Sequence, residues 1–428
     1  MYLLHFPPEV FEAICIEIDK AKDLLSLALA CKACQSLILA RHLRFRVISC
    51  RLEDAYMVPT WDILATDKVL ARNVRVLDFQ PLAHNDSRHV VPFSLPISLK
   101  SDPITREIMK RKESERLDAV LKHFVPALAN MSRLVSFSWR CDFKNGPWRM
   151  DEFDPHDRLR LMWRALSLCP DLTHFFAERP FYQDAFFESC DVPNVTQFTW
   201  RGITPRNLEL FHHFSGTSLP NVVSLEVVID GPPSSGFFNP NRPDQRLFWE
   251  CTFPHIRFLT LHLGPNLGSS AISGRFLARH TSIESLDIWC EPFLLTEDGA
   301  VGEPFLPNLR SLRASTPLIS DLLQATTSPF LETVKCGPYR WGPVRIRQLA
   351  KALGQRPSIH HIHIHIPRPG EDLSSLLLGA PNLKTINDVT WQGDSDALTH
   401  ELRSDKSDHW IDVDVSENAF SLLDGEFP

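Results

Sequence analysis

Apolar residues in the first fifty positions recur at helical spacing three times over. Pro7 and Pro8 disfavour helix before them, so a helix can begin near Glu9, with Glu9 and Glu12 at the positive end of its dipole. Val10, Ile14 and Ile18 follow at i, i+4 and i+8, one face of that helix, and Phe11 and Cys15 widen it. Asp23 is placed to cap a second helix, in which Leu24, Leu27, Ala28 and Cys31 form one apolar face and Leu25 and Leu29 another. A third apolar segment covers 34–44 with Leu37, Ile38 and Leu43, before Phe45, Val47 and Ile48 alternate as a strand would. Three helices this short leave apolar surface uncovered, because a domain of that size buries only roughly 60% of its unfolded area. A partner surface is expected to cover the rest.

Further along, a different pattern takes over, a Pro followed by an aliphatic residue and then by apolar residues in alternation. It reads Pro193, Asn194, Val195, Phe198, Trp200; then Pro220, Asn221, Val222, Leu225, Val227; then Pro254, His255, Ile256, Leu259, Leu261. Further copies centre on Ile283, Leu309, Ile359 and Leu383, with weaker ones at Leu172 and Leu331 and earlier ones at Val74 and Leu134. From Leu172 to Leu383 the first aliphatic residues are 22 to 34 positions apart, with a mean near 26. Such a period marks stacked supersecondary units. Each unit is expected to hold a short strand whose alternate residues point inward, joined by helical stretches such as 157–169, 205–214 and 344–353. Residues 58–71 predict a helix feeding a strand over 74–79, and 117–128 a helix before a strand over 134–139. Residues 81–111 read as a loop insertion, and from 394 onward the repeat is lost in an acidic stretch with Asp412, Asp414, Glu417 and Asp424.

The N-terminal pattern resembles an F-box. The resemblance rests on Pro7 with Glu9 and Val10, on Ile14 and Ile18, on the run Asp23, Leu24, Leu25, Ser26, Leu27, Ala28, and on the closing stretch from Leu43 to Val47. Phe6 stands where the family usually has Leu, and no Trp follows the Cys31, Lys32 pair. The downstream pattern, apolar-x-x-apolar-x-apolar at its period, resembles leucine-rich repeats, although the usual Asn or Cys after the strand is mostly missing. Together the chain is similar to fungal-type F-box proteins with degenerate leucine-rich repeats. The resemblance implies an α/β solenoid, an irregular leucine-rich-repeat horseshoe, carrying an N-terminal three-helix F-box module. It divides the chain into an F-box module at 1–50, a linker and first irregular repeat at 51–130, a repeat array at 131–393 and a C-terminal cap or acidic tail at 394–428. It also implies that Phe6, Pro7, Pro8, Val10, Ile14, Ile18, Leu24, Leu25, Leu27 and Ala28 dock a Skp-family adaptor, and through it a cullin-RING ligase, while the repeats hold a target protein.

Composition narrows the alternatives. The 428 residues are 43% hydrophobic and 23% charged, enough to bury a core. A formal net charge of −7 gives no basic field for nucleic acid. No run reaches the eighteen apolar residues of a membrane helix, and the N-terminus has no secretory pattern. Ten scattered cysteines read as reduced thiols, so the expected location is cytoplasm or nucleus.

Candidate chemistry is sparse. Cys31, Lys32, Ala33 and Cys34 have the spacing of half a zinc site or a redox pair, but no second pair follows at finger spacing, which favours structural thiols. His361, His363 and His365 would project from one face of a strand, yet the register assigns Ile359, Ile362 and Ile364 to the core and leaves the histidines facing solvent, so no metal is expected. No nucleophile elbow, phosphate loop, dinucleotide fingerprint or zinc-protease helix is present, so neither a cofactor nor catalytic residues are expected. The outward strand positions instead form a candidate target-binding row: Arg201, Glu226, His262, Asp287, Trp289, Arg313, Lys335, His363 and His365. Trp289 is either a binding anchor or packed under the loop at 292–295, while Trp139 and Trp200 fall on inward positions. The expected function is that of a substrate-recognition subunit. Its rivals are a repeat-based interaction scaffold whose N-terminal helices serve only as a cap, and an enzyme with a site in the lengthened loops. Charged residues in place of Leu24 and Leu27 should then remove adaptor docking while the repeats stay folded.

Overall fold

The computed structural model describes residues 7–18, 21–43, 45–51, 55–80, 104, 108, 113–140, 156–178, 191–203, 219–229, 249–263, 270–289, 293–296, 305–336, 343–364, 374–380, 382–387 and 389–390. The loop expected at 81–111, apart from residues 104 and 108, which are helical, lies outside these, as do the helical stretch at 205–214 and the acidic end. Two compact units emerge, Met1–Pro307 and Asn308–Pro428. Both are α/β.

The first unit opens with three short helices, α1 (Pro8–Glu17), α2 (Ala21–Leu29) and α3 (Lys32–Ile38), the last running on into a π-helical turn at Leu39–Leu43. Pro7 is the residue before α1, and Pro8 opens it, as its fixed φ favours. Asp23 is not the cap expected of it. It stands inside the first turn of α2, where its charge still meets the positive helix end.

Eight strands then lie side by side in chain order: β1 (Val47–Cys50), β2 (Val76–Phe79), β3 (Ser136–Arg140), β4 (His174–Glu178), β5 (Gln197–Ile203), β6 (Ser224–Ile229), β7 (Phe258–Leu263) and β9 (Ser285–Trp289). Every neighbouring pair is parallel. A separate parallel pair joins β8 (Ser270–Ser273) to β10 (Phe293–Thr296). Helices α4 (Val58–Thr66), α5 (Lys68–Ala71), α6 (Glu113–Asn130), α7 (His156–Ser167) and α8 (Gly274–Arg279) fill connections between strands, with α4 packed on α6 and α6 on α7. In the second unit β11 (Ser311–Ala314), β12 (Thr333–Cys336), β13 (His361–Ile364) and β14 (Thr385–Ile386) are parallel in turn, and β15 (Val389–Thr390) closes antiparallel on β14. Helices α9 (Thr316–Ala325), α10 (Pro343–Gly354) and α11 (Ser374–Gly379) pack successively beside one another.

The Pro-Asn signature has a direct physical cause. Before β4, β5, β6, β7 and β14 the chain makes a four-residue turn, seen as Leu172 N–H to Cys169 C=O at 3.2 Å, Val195 to Val192 at 3.1 Å, Val222 to Leu219 at 3.4 Å, Ile256 to Phe253 at 3.3 Å and Leu383 to Ala380 at 3.2 Å. Proline occupies the second turn position, where its φ is already correct. The next two strand-entry N–H groups then share one carbonyl of the preceding layer, as Thr196 and Gln197 do on Thr173, and Val223 and Ser224 on Thr196. Asparagine adds a link between layers: Asn194 Nδ2 donates to Pro170 C=O and Asn221 Nδ2 to Pro193 C=O, both at 2.8 Å. Both ends of these turns are buried, so the residue before the proline belongs to the pattern as much as the aliphatic after it.

Inward positions stack in register. Ile48, Leu77, Phe137, Phe175, Phe198, Leu225, Leu259 and Leu286 form one row, and Cys50, Phe79, Trp139, Ala177, Trp200, Val227, Leu261 and Ile288 the next. Aromatic rings fill the early layers, with Phe175 stacked on Phe198 at 5.3 Å and Phe79 edge-on to Phe124 at 5.2 Å, while aliphatic residues fill the later ones. Trp139 and Trp200 are buried, as their inward register requires.

Candidate functional site

Two surfaces carry the residues singled out from the sequence. The first belongs to the three N-terminal helices. Their interior is closed by Phe11, Cys15, Leu24, Ala28, Cys34 and Ile38, with Ile18, Leu27, Cys31, Leu37 and Leu43 packed half-buried against them. Leu24 and Ala28 therefore support the module from within and are not on its surface. A charge at Leu24 would unfold the helices before it tested docking, which changes the expected meaning of that substitution. The exposed apolar side chains are Val10 (41%), Leu25 (45%), Leu29 (70%) and Leu39 (41%). Pro7 is exposed, Ile14 is half-buried, and Phe6 and the side chain of Pro8 lie outside the described residues.

Two arginines tie this module to the sheet. Arg75, at the entry to β2, is buried; its Nη2 donates to Ile16 C=O in the last turn of α1 at 2.7 Å and its Nη1 to Arg133 C=O at 3.0 Å. Arg133 in turn donates to Glu17 Oε1 at 3.0 Å, and Asp171 lies 3.5 Å from Arg133 Nε and 3.6 Å from Arg75 Nη1. The hydrogen bond from Arg133, and then its charge, hold the Glu17 carboxyl below its ordinary range.

The second surface is the outward face of the strands in the first unit. Here Arg201, Glu226, His262, Asp287 and Trp289 stand on consecutive strands β5, β6, β7 and β9, all half-buried. They engage one another: Arg201 Nε and Nη2 both lie 2.8 Å from Glu226 Oε1, His262 Nε2 is 3.6 Å from Asp287 Oδ1, and the His262 ring meets Trp289 edge-on at 5.8 Å. Sequence reasoning missed three members of this face. Asp78, fully buried, accepts from Ser49 Oγ at 3.3 Å, with Arg140 Nε 3.9 Å away. Phe176 lies beneath two guanidiniums, Arg140 at 4.7 Å and Arg201 at 5.5 Å. The signal was available, since Arg140 and Arg201 hold the same position relative to the core pair of their strands. It was obscured because Phe175, Phe176 and Ala177 read as an unbroken apolar run.

In the second unit Arg313, Lys335 and His363 share one register row of β11, β12 and β13. His361 Nδ1 is 2.8 Å from Thr385 Oγ1, and His365 lies outside the described residues. Among the described residues no three metal-ligating side chains gather, and no helix is long and apolar enough to cross a membrane.

Compared with protein-family models and with curated proteins, the chain matches none. Fold and surface therefore define its class: an α/β protein whose parallel strands present a row of mutually paired charges and two half-buried aromatic rings.

Proposed function

We propose that this chain is the substrate-recognition subunit of an SCF-type cullin-RING ubiquitin ligase, with an N-terminal F-box that docks a Skp-family adaptor and an irregular leucine-rich-repeat solenoid that binds the target protein. The observation that carries the reading is the set of exposed apolar side chains Val10, Leu25, Leu29 and Leu39 outside a module interior that is already filled. Full burial of one such side chain is worth roughly 1.5–3 kcal/mol, so an adaptor covering several of them gains a specific docking energy. Parallel strands, most of which open on the same turn, support the repeat reading. On the outward face the charges are already paired, so target binding relies on shape and on Phe176 and Trp289 rather than on a strong field. Ubiquitin transfer belongs to other subunits of such a complex.

The test is co-purification of the full chain with a Skp-family adaptor, beside a variant carrying Leu25→Glu and Leu29→Glu. Binding by the parent and none by a variant with unchanged circular dichroism is the expected result. A chain that never binds the adaptor leaves the interaction scaffold as the reading.

A further inference from the structure

Cys31 and Cys34 stand together at the turn between α2 and α3. Cys31 has extended backbone, φ −163° and ψ 162°, immediately before the helix, and its sulfur accepts the Cys34 N–H at 3.4 Å. Cys31 is half-buried among exposed Ala30, Lys32 and Ala33, whereas Cys34 is buried behind it. Their acidities separate accordingly. The Cys34 N–H first, and the Cys34 thiol next, hold Cys31 below the ordinary thiol range, while burial above all pushes Cys34 up. An accessible sulfur with a stabilised thiolate, backed by a shielded second thiol, separates the attacking and resolving roles of disulfide exchange. Other described cysteines differ. Burial pushes the Cys15 thiol up to about 11 and the Cys169 thiol up to about 12, and Cys336 is fully enclosed and raised as well.

We propose that Cys31 and Cys34 form a reversible intramolecular disulfide by exchange with a low-molecular-weight disulfide. The Cys31 thiolate attacks one sulfur of the small disulfide, forming a mixed disulfide and releasing one small thiol. Cys34 then gives up its proton and attacks the Cys31 sulfur, which forms the Cys31–Cys34 bond and breaks the mixed one, releasing the second small thiol. The two cysteines lose two electrons and two protons, and both pass to the small disulfide. Residues three apart on a helix have Cβ atoms about 5–6 Å apart. A disulfide needs about 3.5–4.5 Å, a closure open to Cys31 because its own φ and ψ are extended rather than helical, although its C=O accepts the Gln35 N–H at 2.9 Å. The site is independent of whether the module docks an adaptor.

Full-length reduced protein is equilibrated with oxidised and reduced glutathione in varying ratio, trapped, alkylated and read cysteine by cysteine by peptide mass spectrometry. The Cys31–Cys34 peptide is expected to lose two hydrogens as the mixture becomes oxidising, before Cys15 or Cys169 reacts. Cys34→Ser should instead accumulate glutathione on Cys31, and Cys31→Ser should leave Cys34 a free thiol. The pH profile of iodoacetamide alkylation on the unsubstituted chain decides the matter whether or not the serine variants fold. Cys31 should reach half its maximal rate below the ordinary thiol value of about 8.5. Thiols that persist across all glutathione mixtures, glutathione that stays on Cys31 while Cys34 is present, or a Cys31 profile at or above the ordinary value would each overturn the proposal.

Discussion

His280 is held as a neutral imidazole by its two hydrogen bonds. Its Nε2 accepts the Phe253 N–H at 2.9 Å, so Nδ1 carries the proton it donates to Phe276 C=O at 2.7 Å. Burial foremost, with the Arg279 charge beside it, lowers its pKa below the ordinary 6.5. A folded-state value below the unfolded one means the stabilisation is complete above about pH 6.5 and fades as pH falls toward the folded value, because the unfolded chain takes up the proton first. Urea unfolding of the parent and of His280→Gln should therefore differ most near neutrality, and the gap should narrow by pH 5. A gap that stays constant would remove His280 as the titrating group. His280 occupies the turn position held elsewhere by Val192, Leu219 and Phe253. With neither an apolar residue nor a proline at that turn, only Ile283 and the residues after it betrayed the layer in the sequence. The asparagine links are likewise invisible to periodicity, since polarity at an exposed turn looks merely solvated. Asn221→Ala, which removes the link to Pro193, should cost roughly 0.5–1.5 kcal/mol in chemical denaturation, with no change of fold.

At the scale of elements, strands were legible and their couplings were not. The strands expected after Leu172, Val195, Val222, Ile256, Ile283, Leu309, Leu331, Ile359 and Leu383, each announced by local alternation, all form, whereas β8, β10 and β15 were not announced, and β10 occupies the segment read as a loop at 292–295. The clamp between α1 and the sheet joins residues distant in sequence. Arg75 reaches a carbonyl 59 positions earlier, and Arg133 a carboxylate 116 positions earlier. No short-range pattern encodes that. Arg75→Ala strands two half-buried carbonyls and should destabilise the chain by roughly 1–3 kcal/mol, with Arg133→Ala, more exposed, losing less; thermal melts of the two variants check the order. A second coupling is steric. A Cβ on Gly379 would fall 2.7 Å from Ala350 Cβ, so α10 and α11 approach closely because no side chain intervenes. Gly379→Ala should force them apart at roughly 1–3 kcal/mol, read from the same melts.

For the whole molecule, the candidate docking surface was half legible. Spacing places Val10, Leu24, Leu25, Leu27 and Ala28 on apolar faces, but in a helix that is apolar nearly all round, periodicity does not say which face turns inward. Packing decides it: Leu24 and Ala28 close the interior, and Leu25 and Leu29 are left outside. On the strands, register alone identified Arg201, Glu226, His262, Asp287 and Trp289 as one face, while their pairing and the Phe176 ring between two arginines needed the neighbouring strands in place. The proposed function requires that the N-terminal helices dock an adaptor through Leu25 and Leu29 while the outward strand face holds a target. The most direct measurement is the dissociation constant of the full chain for a purified Skp-family adaptor, with and without Leu25→Glu and Leu29→Glu. Saturable binding by the parent is expected, with at least a hundredfold weakening in a variant that melts at the parent's temperature, the loss of about 2.7 kcal/mol. Equal affinity of the two, or no binding by the parent, would contradict it.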